Sequence, residues 1–210
     1  MKKLKILFLS MLLPVLTVLI SCTGCENGLF NGGSNDYHDH TWEIQLNDDQ
    51  KVIKQTVKGL EFQFCLLNED SVPSTTFGEG ENFYFYFTVK NTLDEKIILD
   101  HTEFFSKDFC EVFQQNTGDS LGKPFKIGAV ELVMGYQFAS NEEIIIKIPW
   151  DDKRENWNAL HVSFSSLNKD FLPSGTYYTK FTNQFYFSKV DNEGPIKTDS
   201  LTFKINFEIK

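Results

Sequence analysis

Apolar and polar residues alternate with a period of two over most of this chain. Leu60, Phe62, Phe64 and Leu66 fall on one side of an extended segment, with Glu61, Gln63 and Cys65 on the other. Phe83, Phe85, Phe87 and Val89 repeat the pattern against Tyr84, Tyr86, Thr88 and Lys90. Near the end, Leu201, Phe203, Ile205, Phe207 and Ile209 alternate with Thr202, Lys204, Asn206 and Glu208. Successive strand side chains point to opposite faces, so each run predicts a strand with one apolar and one polar face. The last run reads as the cleanest half-buried strand. Shorter candidates lie at 96–99, 110–113, 143–148 and 160–164, with two more inside 176–188.

Turn residues punctuate these runs. Asn116-Thr117-Gly118-Asp119 follows one candidate and Pro173-Ser174-Gly175 precedes another, and both supply residues that accept tight backbone bends. No long stretch keeps a 3.6-residue period. The segment 123–136 is the least regular and is expected to hold a short helix or an irregular crossover. Eight or nine short strands with frequent turns and no helical crossover predict an all-β fold, an antiparallel immunoglobulin-like β-sandwich.

Residues 22–47 read as a flexible tether, since Gly28, Gly32, Gly33, Ser34, Asn35 and Asp36 resist regular structure. The alternation of Trp42, Ile44 and Leu46 is the one place there where a first strand could begin. The sandwich is then expected over 48–210, about 160 residues, enough for one large domain and short for two. Twenty-one phenylalanines supply its core.

Ahead of the tether, Lys2, Lys3 and Lys5 precede an apolar run over 6–20, the layout of a signal peptide. Pro14 and the shortness of the run argue against a spanning helix, which needs about 20 apolar residues. Leu19-Ile20-Ser21-Cys22 resembles the lipobox of bacterial lipoproteins. The resemblance implies that residues 1–21 are removed and that Cys22 becomes the lipidated first residue. Cys25 fits worse, because Cys22 occupies the place where the lipobox has a leucine-like residue. A membrane contact through the N-terminal lipid follows, in the cell envelope and at the outer membrane, with the face left open. Thr23 stands where enteric inner-membrane retention uses aspartate.

Charge narrows the partners further. Without residues 1–21, which hold three lysines and no acid, the net charge falls from −9 to −12. Nucleic acid is excluded as a partner, because neutralising phosphates takes clustered Lys and Arg, and no basic patch stands out.

A second resemblance rests on the order of several segments. Gly80-Glu81-Asn82, Phe87-Thr88-Val89-Lys90-Asn91, Cys110-Glu111-Val112-Phe113 with Gly118, Asn141-Glu142-Glu143 leading to Trp150-Asp151, and Leu172-Pro173-Ser174-Gly175-Thr176-Tyr177 follow one another along the chain. Over roughly residues 60–182 this order resembles the immunoglobulin-like domain of the bacterial intracellular proteinase inhibitor family. It implies an immunoglobulin-like fold, with proteinase inhibition as an alternative function. The export signal and the extra C-terminal portion depart from that family, and no inhibitory residue is carried over.

Candidate chemistry concentrates in a few places. Trp150-Asp151-Asp152-Lys153-Arg154-Glu155-Asn156-Trp157 places two aromatic faces beside hydrogen-bonding groups, as sugar recognition requires. Trp150, Asp151, Asp152, Arg154 and Trp157 are therefore candidate ligand-binding residues. The acids lack the spaced pattern of a calcium loop. The competing and favoured reading is a polar loop whose tryptophans anchor inward. Tyr84 and Tyr86 form an aromatic strip fit for contact if their face is open, although so many aromatics favour a place in the core. His38 and His40, with Asp36 and Asp39, are candidate metal ligands against a solvated-linker alternative that outweighs them.

Export permits a Cys65–Cys110 disulfide, while two buried thiols are the favoured alternative. No G-x-S-x-G, H-E-x-x-H or phosphate loop occurs, and the adjacent pairs Glu142/Glu143 and Asp151/Asp152 do not suggest two carboxyls facing across a cleft. The expectation is therefore a lipid-anchored, cofactor-free binding module with a protein or glycan partner, not an enzyme.

Overall fold

The computed structural model describes residues 39–131, 135–190 and 194–210. Among them the chain is all-β, a sandwich built from seventeen strands in four sheets. Each expected run meets a strand, but Cys110, Leu160 and His161 are turn residues with positive φ, so two of the strands begin only at Val112 and Val162. The further strands, which take the number beyond the eight or nine expected, are mostly two to five residues long.

One layer is a four-stranded antiparallel sheet in the order β11 (Glu143–Pro149), β5 (Tyr84–Asn91), β3 (Leu60–Leu67) and β2 (Ile53–Val57). Its register sets Phe64 opposite Phe87, and Ile146 opposite Phe87 from the other side. Parity does the rest. Phe62, Phe64, Phe85, Phe87, Ile144, Ile146 and Ile148 face inward, while Tyr84, Tyr86, Gln63, Ile145 and Lys147 face outward. The hairpin joining β2 to β3 turns at Lys58 and Gly59, both with positive φ (50° and 83°), the backbone of a tight two-residue turn.

The opposing layer is ordered β1 (His40–Ile44), β17 (Leu201–Ile209), β14 (Gly175–Asn183), β7 (Val112–Gln114) and β8 (Ser120–Gly122). Strand β1 runs parallel to β17, as does the two-residue β4 (Thr76–Phe77) further along it. Phenylalanines of the two layers meet edge to face. Phe181 approaches Phe64 at 5.1 Å and 89°, and Phe203 approaches Phe87 at 5.7 Å and 74°. Such pairs contribute about 0.5–1.5 kcal/mol each beyond their buried area.

Two smaller sheets close the flanks. One is β10 (Tyr136–Phe138), β6 (Ile97–Leu99), β15 (Tyr186–Lys189) and β16 (Pro195–Lys197); the other is β12 (Asn156–Ala159), β13 (Val162–Ser166) and β9 (Phe125–Val130).

The structure corrects three expectations. The sandwich starts before residue 48, because His40–Ile44 pair with Leu201–Ile205 instead of continuing the tether to 47. The segment 123–136 holds no helix among its described residues; it contains β9 and enters β10 at Tyr136. Strand β17 is not half-buried: Asn206 is 1 % exposed on its polar face. Its side-chain amide donates to the Ile44 carbonyl, the Glu43 carboxylate and the Gln45 side-chain oxygen, so the chain around β1 covers that face. Cys65 and Cys110 are both buried free thiols, the favoured of the two readings, and the disulfide is not formed. Cys65 sits on the outward side of β3, whereas Cys110 is part of the central core, so the sheet itself stands between them.

Candidate contact face

The outward side of the β11–β5–β3–β2 sheet carries the strongest candidate site. Alternation along β5 sends Phe85 and Phe87 into the core and leaves Tyr84 and Tyr86 half-buried on the other side. Their neighbours come from β11, where the same alternation buries Ile144, Ile146 and Ile148 and turns Ile145 and Lys147 outward. Lys147 is directly opposite Tyr86 in the register. Its ammonium lies 4.5 Å from the Tyr84 ring centroid and donates to the Ser71 hydroxyl at 2.9 Å. The tyrosine strip is thus an open surface, where the count of aromatics had favoured a place in the core.

Two concavities meet at Lys147. A cleft of about 540 Å³ is bounded by Tyr84, Lys147, Pro149, Asp152, Lys153 and Arg154. A second, of about 330 Å³, lies against Tyr86, Cys65, Gln63 and Pro73. Two exposed apolar residues neighbour lining residues in sequence: Ile145, two positions before Lys147 on β11, is 55 % exposed, and Val72, between Ser71 and Pro73 on the loop after β3, 54 %. Burial, and then the negative charge of Glu143, pushes the Tyr86 phenol above its ordinary range, so it stays a hydrogen-bond donor at neutral pH.

The structure brings part of the Trp150–Trp157 loop to the same face, but not in the arrangement that sugar stacking needs. Trp150 is 2 % exposed, stacks on Phe83 at 5.8 Å and donates its indole N–H to the Asp170 carbonyl at 2.8 Å. Trp157 lies on Phe164 with centroids 4.1 Å apart, and the Arg154 guanidinium is 4.4 Å from its ring. Both tryptophans are anchors, as the inward reading held, and neither offers an open aromatic face.

The acids are committed as well. Asp152, 1 % exposed, accepts from Arg154 Nε and Nη2 and from the Arg154 backbone N–H. Burial alone would raise its carboxyl, yet these Arg154 contacts hold it below the ordinary carboxylate range. Asp151 pairs through Oδ2 with Lys153 at 2.6 Å and Asn82 ties down its backbone N–H and C=O, while its Oδ1 is buried without a hydrogen-bond partner. Glu142 accepts from the Tyr136 hydroxyl and the Ala139 N–H.

Among the proposed metal ligands, His40 is in β1, stacked on Trp42 at 5.8 Å with its Nε2 3.3 Å from Asp199. His38, like Cys22 and its lipidation motif, lies outside the described residues. Sequence reasoning missed Lys147, Ile145 and Ser71. The signal for the first two was there: in Ile144-Ile145-Ile146-Lys147-Ile148, strand parity alone places residues 145 and 147 beside Tyr86 and Tyr84 once β11 is paired with β5.

No protein-family model matches the chain, and no curated protein matches it. Two solved structures are similar to it in part. One is the ASH/PapD-like domain of human CEP192 (PapD-like domain 7), 13% identical, covering 80% of this chain and 96% of that one, with a TM-score of 0.31. The other is a family 123 glycoside hydrolase from Clostridium perfringens, 10% identical, covering 66% of this chain and 23% of that one, with a TM-score of 0.21.

Proposed function

We propose that the chain is a lipid-anchored, non-catalytic interaction module of the cell envelope, and that it binds a protein through the outward face of the β11–β5–β3–β2 sheet. The observation that carries this reading is the open strip of Tyr84 and Tyr86 beside exposed Ile145, with two clefts meeting at Lys147. Tyrosine and exposed aliphatic side chains beside concavities suit a protein surface, where a few buried anchors supply most of the affinity. A glycan is the weaker fit. The Lys147 ammonium already occupies a face of Tyr84, and the tryptophans that would stack on sugar are packed inside. The lipid anchor rests on the Leu19-Ile20-Ser21-Cys22 motif alone. Commitment of Asp152 and Glu142 to local partners supports a non-catalytic role.

The test is crosslinking of the full chain in its native envelope, followed by mass spectrometry, with three comparison proteins. Cys22→Ala removes the anchor, Tyr84→Ala with Tyr86→Ala removes the strip, and Lys58→Ala alters a distant turn. The expected result is one reproducible partner retained by Lys58→Ala and lost from the tyrosine double variant. A partner that ignores the tyrosines would reject this face, and binding to glycans alone would replace the protein partner with a sugar.

A further inference from the structure

Two histidines from distant parts of the sequence meet at one flank of the sandwich. His101 follows β6 and is 1 % exposed; His161 is in the turn joining β12 to β13. Their rings meet edge to face with centroids 5.5 Å apart. Glu131, just beyond β9, organises both. Its backbone N–H donates to the His161 carbonyl, and its own carbonyl accepts from His101 Nε2 at 2.9 Å. Its carboxylate lies 3.3 Å from His161 Nδ1.

These contacts fix the tautomers. A carbonyl and a carboxylate can only accept, so His101 carries its proton on Nε2 and His161 donates through Nδ1. The bare lone pairs are then His101 Nδ1 and His161 Nε2. His101 Nδ1 is buried with no hydrogen-bond partner, an unfavourable arrangement that a bound ligand would relieve. An imidazole that gives one N–H to a carbonyl or carboxylate and keeps the other nitrogen free is how metal-bound histidines are oriented. With metal–nitrogen bonds of about 2.0–2.1 Å at tetrahedral angles, two such rings have centroids roughly 5 Å apart. The turn adds a constraint. Leu160 and His161 both adopt positive φ (47° and 60°), where Asn and Gly are the ordinary occupants.

We propose that His101 and His161 form a binding site for a divalent transition metal of the zinc class, with Glu131 as the residue that orients both rings. The pair supplies two nitrogens. Among the described residues no three ligating side chains converge as they stand, so water completes the coordination unless the Glu131 side chain, 66 % exposed, turns toward the ion. Neutral imidazole suits Zn²⁺ and, more tightly, Cu²⁺.

The test is calorimetric titration of Zn²⁺ into the full chain, with a His38→Ala/His40→Ala background to remove the other imidazole pair. Nitrogen-15 spectra of the histidine rings report which atoms are bound. One Zn²⁺ per chain is expected in that background, with shifts at His101 Nδ1 and His161 Nε2. His161→Asn keeps a residue that tolerates positive φ and is expected to weaken binding at least tenfold with an unchanged circular dichroism spectrum. Glu131→Gln should weaken binding about tenfold while leaving one ion per chain. Loss of all binding in the His38/His40 background, or an affinity unmoved by His161→Asn, would overturn the site.

Discussion

Trp157 lies flat on Phe164, the two ring centroids 4.1 Å apart and the planes 9° from parallel. Phe164 in turn packs edge-on against Phe105 and Phe125, so the tryptophan belongs to the packing that fastens the small β12–β13–β9 sheet to the core. Replacing it with alanine removes the stack and leaves Arg154 over a void. We expect Trp157→Ala to lose about 2–4 kcal/mol in urea unfolding, toward the lower part of the range for large aromatic truncations because the residue is only partly buried. Trp157→Phe should recover most of that loss.

The Asp152–Arg154 pair predicts a particular acid response. The folded carboxyl titrates below its ordinary value of 3.8, and unfolding returns it to that value. Its contribution is therefore complete above about pH 4 and disappears as the pH falls through the folded value. Denaturation midpoints measured from pH 6 downward should fall less steeply below pH 4 in Asp152→Asn than in the wild type. At neutral pH the same variant should be the less stable, since it leaves a guanidinium without its carboxylate partner.

Neither buried thiol should react while the protein is folded. Burial pushes Cys65 up to about 12, and Cys110, fully enclosed, is raised well above its ordinary value. Iodoacetamide at pH 8 followed by peptide mapping should find both unmodified, and both labelled once denaturant is added, because only the thiolate attacks. Labelling of Cys65 in the folded protein would show that the smaller cleft opens.

Gly59 sits in a hairpin at φ 83°, and a Cβ there would come within 2.3 Å of Leu93 Cδ2. Gly59→Ala therefore combines backbone strain with a forced shift of Leu93. A destabilisation of about 1–3 kcal/mol is expected in thermal unfolding. Lys58→Asn, one residue earlier, relieves a positive φ and should be neutral or stabilising by up to about 1 kcal/mol.

The parts of this fold legible in the sequence are those governed by local parity. Phe83-Tyr84-Phe85-Tyr86-Phe87 states which side is core, and the structure follows it residue by residue. What parity cannot state is whether the second side is covered. Asn206 and Tyr86 looked alike in that respect, both polar-side residues of an alternating strand. Asn206 is enclosed because the chain around β1 returns to it, while Tyr86 stays half-buried beside a cleft, with only the loop after β3 reaching across β5 through Ser71 to Lys147. Coverage depends on contacts between residues far apart in sequence. The same limit hid the His101–His161 pair, whose members sit sixty positions apart with no recognisable spacing. The tryptophan loop misled in the opposite direction, since a cluster of Trp, Asp and Arg looks like a recognition loop whether its rings point outward or lock inward.

The side-by-side pairing of β1 with β17 also decides how the molecule bears mechanical load. His40–Ile44 are zipped along Leu201–Ile205 in parallel, and β17 is itself held by β14 over nine paired residues. A pull on the chain ahead of His40, directed along the strand, strains all the β1–β17 hydrogen bonds together in shear instead of peeling them one at a time. Rupture under such a pull is set by an unfolding rate and not by equilibrium stability. The join between the N-terminal segment and the sandwich is thus built as a clamp that fails all at once.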